Sequence, residues 1–476
     1  MKSFKKFWSY SAWILIVFTI GVGLFSFAFE GGMFVARVIE KNTRTNLAQA
    51  VSPENTTTDI TVEPEKSIPF KIILGNVSDN TFTPPPEGKV IRTNLETMQI
   101  KLYDNGALID TIPIAAKGKE GTFYQTPGGE YQVMLKERNH FSSIGKVWMP
   151  YSMQFFGNYF IHGWPYYPDG TPVASSFSGG CIRLKDEDAK KIYEWADTHT
   201  LVSVYSDSDT TPKKTTKDSS YYLINKNLTP QISADAYLVG DLDTGEILLE
   251  KNQNNILPIA SVSKLITALV SMDTVNQLST VTVSKNALTA DGDSGALVAG
   301  EKVKAADLLY ALILESSNDA AEVLAENIGR SNFIKYMNAK ATAVGMGYTY
   351  FEDPSGLSEN NVSTAVDLFK LARYIKKYKP FLFDLSVARE FKTDYHHWYN
   401  HSQFIDQEEY TGGKNGFINA SKETEIATFK LPLSEFDNRN IGIVLLKSDN
   451  RYNDTEKILN YIKQNIFYGP GENKTI

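Results

Sequence analysis

Residues 207–217 contain no strongly apolar side chain, and they divide the chain into two parts with different hydrophobic patterns. Such a segment cannot bury enough apolar surface to fold alone, so we expect a linker at residues 207–231. Before it, short runs that alternate with period two, such as residues 98–103, predict a mostly-β domain at residues 91–206. After it, strand pairs alternate with amphipathic stretches, which predict an α+β domain at residues 232–468. The predicted helices of this second domain are residues 263–272, 305–314, 319–326, 364–374 and 454–466.

An apolar run lies at the N-terminus. Residues 7–29 contain no charged side chain, and about twenty such residues in a helix cross the hydrocarbon core of a bilayer. Lysines precede the run, so the positive-inside rule predicts a cytoplasmic tip and extracytoplasmic domains. We therefore predict a single-pass anchor in the cytoplasmic membrane within residues 1–40. The alternative is a cleaved signal peptide, since residues 26–28 offer a small-x-small cleavage site.

Composition sets further limits on partners and covalent links. The formal net charge of the 476-residue chain is −7 and no basic block is present, so a nucleic acid is not an expected partner. Residues 41–90 are predicted to be a stalk and residues 469–476 a tail. The chain has a single cysteine, Cys181, and can form no internal disulfide. An isolated cysteine is usually a small buried hydrophobe, but the neighbours of this one indicate a reactive thiol.

Three short motifs in the second domain suit a serine acyl-enzyme. Ser261 and Lys264 lie three residues apart at the start of a predicted helix. A partly desolvated lysine can take the proton of a serine hydroxyl, and the N–H groups of a helix N-terminus can stabilise an oxyanion. A Ser-x-Asn motif begins at Ser316 and a Lys-x-Gly motif begins at Lys414. Alone, Ser-x-x-Lys is a weak signal, so the prediction depends on all three motifs together.

The motifs occur in the order and at the distances seen in penicillin-binding proteins and serine β-lactamases. The runs Gly-Glu at 300–301 and Asp-Pro-Ser-Gly-Leu at 353–357 extend the match. Residues 232–468 thereby resemble the low-molecular-weight D-Ala-D-Ala carboxypeptidases. The resemblance implies an α+β penicillin-binding fold, peptidoglycan stem peptides as substrates and β-lactams as inhibitors. No metal and no cofactor are predicted.

The resemblance also implies a role for each motif residue. Ser261 would attack the carbonyl of the penultimate D-Ala, with Lys264 as its base. Ser316 would relay a proton towards the leaving amine, and Asn318 would position the substrate amide. Lys414 would attract the terminal carboxylate of D-Ala-D-Ala.

The third motif departs from the family pattern. Asn415 and Ile418 stand where the family usually has threonine, which bears on how the carboxylate is held and how tightly β-lactams bind. The family oxyanion hole corresponds to the backbone N–H groups of Ser261 and Phe417. A β-lactamase is the alternative, because it uses the same three motifs. The common class also needs a Glu-x-x-Leu-Asn loop, which is absent between the second and third motifs, so a carboxypeptidase is favoured.

A second reactive motif surrounds the cysteine. A histidine close to a thiol can deprotonate it and later protonate a leaving group, and glycines let backbone N–H groups approach an oxyanion. An upstream His-Gly pair precedes the cysteine motif by a short segment. The candidate residues of this site are His162, Ser178, Gly179, Gly180, Cys181 and Arg183.

Residues 91–205 resemble the YkuD-like L,D-transpeptidases, whose signature joins His-Gly to Ser-His-Gly-Cys. Gly179 occupies the position of the second histidine, so the resemblance leaves His162 as the base. Arg183 could attract a stem-peptide carboxylate or form a salt bridge near the start of the next helix. A wall-binding domain without activity is the competing interpretation of the first domain.

The two resemblances describe consecutive reactions. A D,D-carboxypeptidase converts a pentapeptide stem to a tetrapeptide, and an L,D-transpeptidase uses the tetrapeptide as its acyl donor. A flexible linker would raise the local concentration of the trimmed product at the second site. The sequence thus favours an enzyme that trims and then cross-links peptidoglycan stems, with a pair of regulatory pseudoenzymes as the alternative.

Overall fold

The computed structural model describes residues 82–206, 219–223, 230–292, 295–434 and 437–470. The predicted anchor at residues 7–29 and most of the predicted stalk lie outside these ranges. Within the described ranges, no helix combines the length and the apolarity that crossing a membrane requires. The predicted order of a mostly-β domain followed by an α+β domain is confirmed.

The first domain consists of two sheets and one helix. Its strands are β1 (Lys89–Asn94), β2 (Gln99–Asp104), β3 (Ala107–Pro113), β4 (Gly129–Gln132), β5 (Leu135–Ser142), β6 (Val147–Phe156), β7 (Tyr159–His162), β8 (Ile182–Arg183) and β9 (Leu201–Tyr205), and helix α1 (Asp186–Trp195) precedes β9. One sheet has the strand order β3-β2-β1-β9-β4 and the other the order β5-β6-β7-β8.

Local sequence signals predicted parts of this domain well. The alternating run at residues 98–103 forms β2, and it pairs with β3 through a turn in which Asn105 and Gly106 have φ angles of 47° and 81°. Strands β7 and β8 lie far apart in sequence but pair in parallel, with His162 opposite Arg183. This pairing brings the two halves of the cysteine motif together.

The second domain begins with strand β10 (Ser219–Leu223) and is built on a central sheet. Its strands are β11 (Ala236–Asp241), β12 (Ile247–Lys251), β13 (Leu257–Pro258), β14 (Thr280–Thr282), β15 (Lys302–Lys304), β16 (Val362–Ser363), β17 (Glu390–Lys392), β18 (His397–Tyr399), β19 (Tyr410–Ile418), β20 (Lys422–Leu431), β21 (Arg439–Ser448) and β22 (Ile466–Pro470). Its helices are α2 (Lys264–Thr274), α3 (Ala305–Leu314), α4 (Asn318–Glu326), α5 (Arg330–Val344), α6 (Ala365–Tyr378), α7 (Phe381–Ser386) and α8 (Arg451–Asn465). The central sheet has the order β12-β11-β21-β20-β19.

Strand β10 lies inside the predicted linker at residues 207–231. It pairs antiparallel with β22, so the start and the end of the second domain are joined by backbone hydrogen bonds. Tyr221 of β10 is buried, and its hydroxyl donates to Asp241 Oδ2 at 2.5 Å. The polar composition of residues 207–217 therefore does not continue as a linker through β10.

Helix α2 runs through the core of the second domain. All of its residues are buried, including Lys264 at its start and Asp273 near its end. A helix enclosed on every side is normally apolar all round, and a buried charge is costly unless it is paired. The two ends of α2 therefore require specific partners, and those partners differ at each end.

The partners of Asp273 link the two domains. Its carboxylate forms ion pairs with Lys340 Nζ at 2.7 Å and Lys379 Nζ at 3.3 Å, and all three side chains are fully buried. Tyr159 of the first domain donates its hydroxyl hydrogen to Asp273 Oδ1 at 2.9 Å. The two domains belong to one compact unit and are in direct contact. The domains are therefore in direct contact in addition to the predicted linker, most of which lies outside the described residues.

We expect Gly157→Ala to weaken this interdomain contact. Gly157 has a φ of 49°, and a Cβ there would overlap the carbonyl oxygen of Asp273. Overpacking of this kind lowers the free energy of unfolding by about 1–3 kcal/mol. Gly170→Ala is the control, because Gly170 also has a positive φ but has no atom within 4 Å of such a Cβ. Denaturant unfolding midpoints compare the two variants, and equal midpoints would contradict the prediction.

Candidate active sites

The candidate nucleophile of the second domain lies in a short 3₁₀ turn. Residues Ala260–Ser263 form this turn, which leads from β13 into α2. Lys264 Nζ lies 2.9 Å from Ser261 Oγ, within hydrogen-bond distance, so the predicted pair is in direct contact. Ala260 holds a left-handed φ of 47°, which a non-glycine residue adopts only when its surroundings enforce it.

Lys264 joins the first and second motifs. Its Nζ donates to Asn318 Oδ1 at 2.7 Å and also to the carbonyl oxygen of Ser355. Burial lowers the pKa of Lys264 well below its ordinary value, and the nearby charge of Lys414 acts in the same direction. A neutral amine is the form that can accept the proton of Ser261. Lys264 is therefore a buried amine in contact with Ser261, and its role as the general base remains a prediction.

The second motif sits between α3 and α4. Ser316 has a left-handed φ of 61°, and the side chain of Ser317 caps α4 by accepting from Ala320 N at 3.1 Å. Asn318 Nδ2 donates to the carbonyl oxygen of Asp291 at 2.6 Å, so the amide is held at both ends. The role of Ser316 as a proton relay remains a prediction.

The loop at residues 353–357 supports the base, a role that the sequence analysis did not assign. Asp353 Oδ1 accepts from the backbone amides of Ser355 at 2.7 Å and Gly356 at 2.6 Å. This arrangement directs the Ser355 carbonyl at Lys264. The Asp-Pro-Ser-Gly run was visible in the sequence, but its contact with Lys264 depends on long-range packing.

The third motif lies beside the nucleophile on β19. A Cβ on Gly416 would lie 2.6 Å from the amide nitrogen of Ser261, which shows how closely the strand approaches the turn. Lys414 is 5% exposed, and its Nζ donates to Asn415 O at 2.9 Å and Asn415 Oδ1 at 3.3 Å. Asn415 thus contacts the cation directly. The ring of Phe417 is 61% exposed, and its role in an oxyanion hole remains a prediction.

Lys414 and Glu425 are two buried ionisable groups on the neighbouring strands β19 and β20. Burial lowers the pKa of Lys414 to about 7, and Arg451 acts in the same direction. Burial also raises the pKa of Glu425 to about 7. Glu425 lies opposite Asn415 in the sheet and accepts from Thr455 Oγ1 at 2.9 Å. Nothing in the sequence marked Glu425, because a glutamate in a β-strand is usually on the exposed face.

The cysteine motif forms a tight turn before β8. Ser178 Oγ donates to the Cys181 carbonyl at 2.5 Å and accepts from Gly180 N at 3.0 Å. Gly180 has a φ of 114°, a backbone conformation that is strained for any residue with a side chain. The nearest atom to a Cβ on Gly179 would be Tyr124 Cδ1 at 3.9 Å, so a larger side chain could stand there.

The thiol and the imidazole are both neutral in this structure. Burial raises the pKa of Cys181 to about 11 and lowers the pKa of His162 to about 3. Cys181 Sγ donates to the carbonyl of Asn158 at 3.6 Å. His162 Nδ1 contacts the carbonyl of Gly163 at 2.6 Å, which requires its proton on Nδ1 and leaves Nε2 as the free acceptor. No hydrogen bond joins these two described side chains, so proton transfer between them requires an approach on substrate binding.

The side chain of Arg183 contacts backbone rather than a carboxylate among the described residues. Its guanidinium donates through Nη1 to the carbonyl of Ser175 at 3.0 Å, and it forms no ion pair with any residue that the structure describes. Its Nε is buried without a hydrogen-bond partner in those residues. No described contact is a salt bridge near the start of α1, and binding of a stem-peptide carboxylate by Arg183 remains a prediction.

Comparisons with known proteins match both parts of the chain. Residues 224–443 match the family model described as D-alanyl-D-alanine carboxypeptidase, and residues 88–204 match the L,D-transpeptidase catalytic domain. The D-alanyl-D-alanine carboxypeptidase DacB2 of Mycobacterium tuberculosis is 33% identical over 41% of this chain and 70% of its own length. The D-alanyl-D-alanine endopeptidase of Pseudomonas aeruginosa is 36% identical over 36% of this chain and 56% of its own length.

The match to curated relatives is partial in length. The chain spans about half the length of the first relatives, 56% and 53% of the endopeptidases of Pseudomonas aeruginosa and Escherichia coli. Among solved structures, a D-alanyl-D-alanine carboxypeptidase from Mycobacterium tuberculosis H37Rv is 26% identical with a TM-score of 0.46, covering 50% of this chain and 94% of that chain.

We expect Gly356→Ala to slow acylation of Ser261. Gly356 has a φ of 86°, and a Cβ there would overlap the carbonyl of Ala260 and lie 2.9 Å from the amide nitrogen of Ser261. Displacing the nucleophile should lower the rate constant for labelling by a fluorescent penicillin at least about 10-fold. Gly300→Ala is the control, since its φ is 87° but no atom lies within 4 Å. A similar labelling rate in both variants would disprove this account of the turn.

We expect substrate capture by the second domain to weaken above neutral pH. Lys414 is charged below its pKa of about 7 and neutral above it, so its attraction for a terminal carboxylate is lost as the pH rises. The value of kcat/KM for a D-Ala-D-Ala peptide should then fall about tenfold per pH unit on the alkaline side. Lys414→Arg should remove this fall, because a guanidinium stays charged. Steady-state kinetics between pH 6 and 10 measure both profiles, and an alkaline fall retained in Lys414→Arg would assign it to another group.

Proposed function

Because the chain belongs to the D-alanyl-D-alanine carboxypeptidase family, we propose that its second domain removes the terminal D-Ala from peptidoglycan stem peptides through an acyl-Ser261 ester. The observation that carries this proposal is the position of Lys264 Nζ, within hydrogen-bond distance of both Ser261 Oγ and Asn318 Oδ1. Its burial favours the neutral amine that the reaction needs.

In the proposed acylation, the proton of Ser261 passes to the leaving amine. Lys264 takes the hydroxyl proton as Ser261 Oγ attacks the carbonyl of the penultimate D-Ala. The C–N bond then breaks, and the terminal D-Ala leaves as an amine that receives a proton by way of Ser316. Water hydrolyses the ester and regenerates the hydroxyl. Lys414, as a buried cation, is the group suited to hold the terminal carboxylate during these steps.

We further propose that the first domain performs L,D-transpeptidation through Cys181. The free Nε2 of His162 takes the thiol proton, and Sγ attacks the carbonyl of the third stem residue. The remaining D-Ala leaves with that proton, and an amine from a neighbouring stem attacks the thioester. The buried, unpaired Nε of Arg183 supports binding of a stem carboxylate at this site.

The two proposed activities form a sequence. The serine site supplies tetrapeptide stems, and the cysteine site consumes them as acyl donors. We propose that both domains act outside the cytoplasmic membrane, held there by the anchor predicted at residues 7–29. The alternatives are a first domain that only binds the wall and a second domain that hydrolyses β-lactams.

The test is to incubate the purified ectodomain with pentapeptide muropeptides and to separate the products by liquid chromatography and mass spectrometry. The wild-type protein should yield tetrapeptides and then L,D-linked dimers. Ser261→Ala should abolish tetrapeptide formation but should still cross-link added tetrapeptides. Cys181→Ala should accumulate tetrapeptides without dimers.

Three results would separate the alternatives. Tetrapeptides without any L,D-linked dimer would reduce the first domain to a binding module. Rapid turnover of nitrocefin would favour the β-lactamase. Cleavage of D,D-linked dimers in preference to pentapeptides would favour an endopeptidase, the activity named for the relative from Pseudomonas aeruginosa.

A further inference from the structure

The turn between β6 and β7 connects the thiol of the first domain to the end of helix α2. Asn158 lies in this turn, and its carbonyl accepts the hydrogen bond from Cys181 Sγ at 3.6 Å. The backbone amide of the same residue donates to the carbonyl of Asp273 at 2.9 Å. One residue of the first domain therefore contacts both the reactive sulfur and the second domain.

Tyr159 makes a second connection to the cysteine turn. A Cβ on Gly180 would overlap the ring of Tyr159, so the ring lies directly against the residue that precedes Cys181. The Tyr159 hydroxyl donates to Asp273 Oδ1 at 2.9 Å and accepts from Lys379 Nζ at 3.0 Å. The side chain is 2% exposed, and both hydrogen-bond partners of its hydroxyl belong to the second domain.

Lys379 makes a third connection through a neighbouring loop. Its Nζ donates to the carbonyls of Phe123 at 3.2 Å and Gln125 at 2.8 Å. The residue between these two, Tyr124, places its carbonyl 3.2 Å from the position of a Cβ on Gly180. The loop that covers the cysteine turn on this side is thus fixed by a lysine of the second domain.

The contact between the domains is made by buried ion pairs and hydrogen bonds rather than by apolar packing alone. The cluster brings together one carboxylate and two lysines, all with no exposure to solvent. Burial opposes the ionisation of Asp273, but the charges of Lys340 and Lys379 overcome it and keep the pKa of the carboxyl below its ordinary value. Well-packed apolar residues would join two domains at least as stably as buried ions. What the ions add is a defined position for each group that they contact.

We propose that Tyr159, Asp273 and Lys379 are positioning residues for Cys181, so that the second domain holds the cysteine site of the first in its reactive geometry. This inference rests on the proposed function of Cys181. It assigns the second domain a part in the reaction of the first, in addition to its own serine chemistry.

The experiment uses the whole ectodomain and two independent probes of Cys181. A carbapenem reports acylation by mass spectrometry, with the limiting rate and the half-saturating concentration determined separately. Iodoacetamide reports thiol reactivity independently of any enzyme activity, and it labels one site because Cys181 is the only cysteine of the chain. Penicillin labelling of Ser261 confirms that each variant is folded.

The variants are Tyr159→Phe, which keeps the ring and removes only the hydroxyl, and Lys379→Met. Each should lower the limiting rate of carbapenem acylation about 10-fold with little change in the half-saturating concentration, because the groups are misplaced rather than lost. Each should also change the alkylation rate of Cys181, and Lys379→Arg should restore part of the loss. Lys376→Met is the matched control, since Lys376 lies in the last turn of α6, just before Lys379, but pairs with Asp243 where both side chains are partly exposed.

Unchanged limiting and alkylation rates in Tyr159→Phe, with Ser261 still labelled, would overturn the proposal. An equal effect in Lys376→Met would do the same, because it would show a general loss of stability. If the wild-type protein forms no carbapenem adduct, the proposed function of Cys181 fails. The alkylation rates then still decide whether the second domain positions the thiol.

Discussion

The burial of the Lys264 amine is the constraint on which the second domain depends. A lysine with no access to water must have its hydrogen-bonding groups satisfied by the protein, and its charged form is disfavoured. Asn318 and the carbonyl of Ser355 satisfy it, which fixes the start of α4 and the loop at residues 353–357 relative to α2. The same burial lowers the pKa of the amine that contacts Ser261, as the proposed role of base requires. The stability of the fold and the chemistry of the serine therefore depend on one group.

The sequence indicated which residues of the serine motifs lie together better than it indicated what surrounds them. Ser261, Lys264 and Asn318 were identifiable because motif spacing is local and each motif requires particular residue types. The structure brings these three together in direct contact. The parallel pairing of β7 with β8, which brings His162 beside the cysteine turn, depends on a contact between distant segments. The sequence could place both halves of that site only through the resemblance to a family.

Helix α5 and the direct contact between the domains were not predicted, each for a physical reason. Helix α5 was missed because its buried face contains Lys340 among apolar residues, which interrupts the helical hydrophobic pattern. The direct contact between domains was missed because its central groups, Asp273 and Lys379, are charged and would normally be assigned to the surface. Outside a recognised motif, a buried charged residue has no signature in a single sequence, since its partners come from distant parts of the chain.

Helix α2 also separates Ser261 from the domain contact that adjoins Cys181. Ser261 precedes its first turn and Asp273 lies near its last, and 11 helical residues extend about 16 Å. The bonds proposed to be cut by Ser261 and Cys181 are neighbours in a stem peptide, only about 3.8 Å apart along the chain. A trimmed stem must therefore leave the serine before the cysteine can receive it. Under the proposed function, the substrate therefore has to move between two sites that the direct contact between the domains holds at fixed positions.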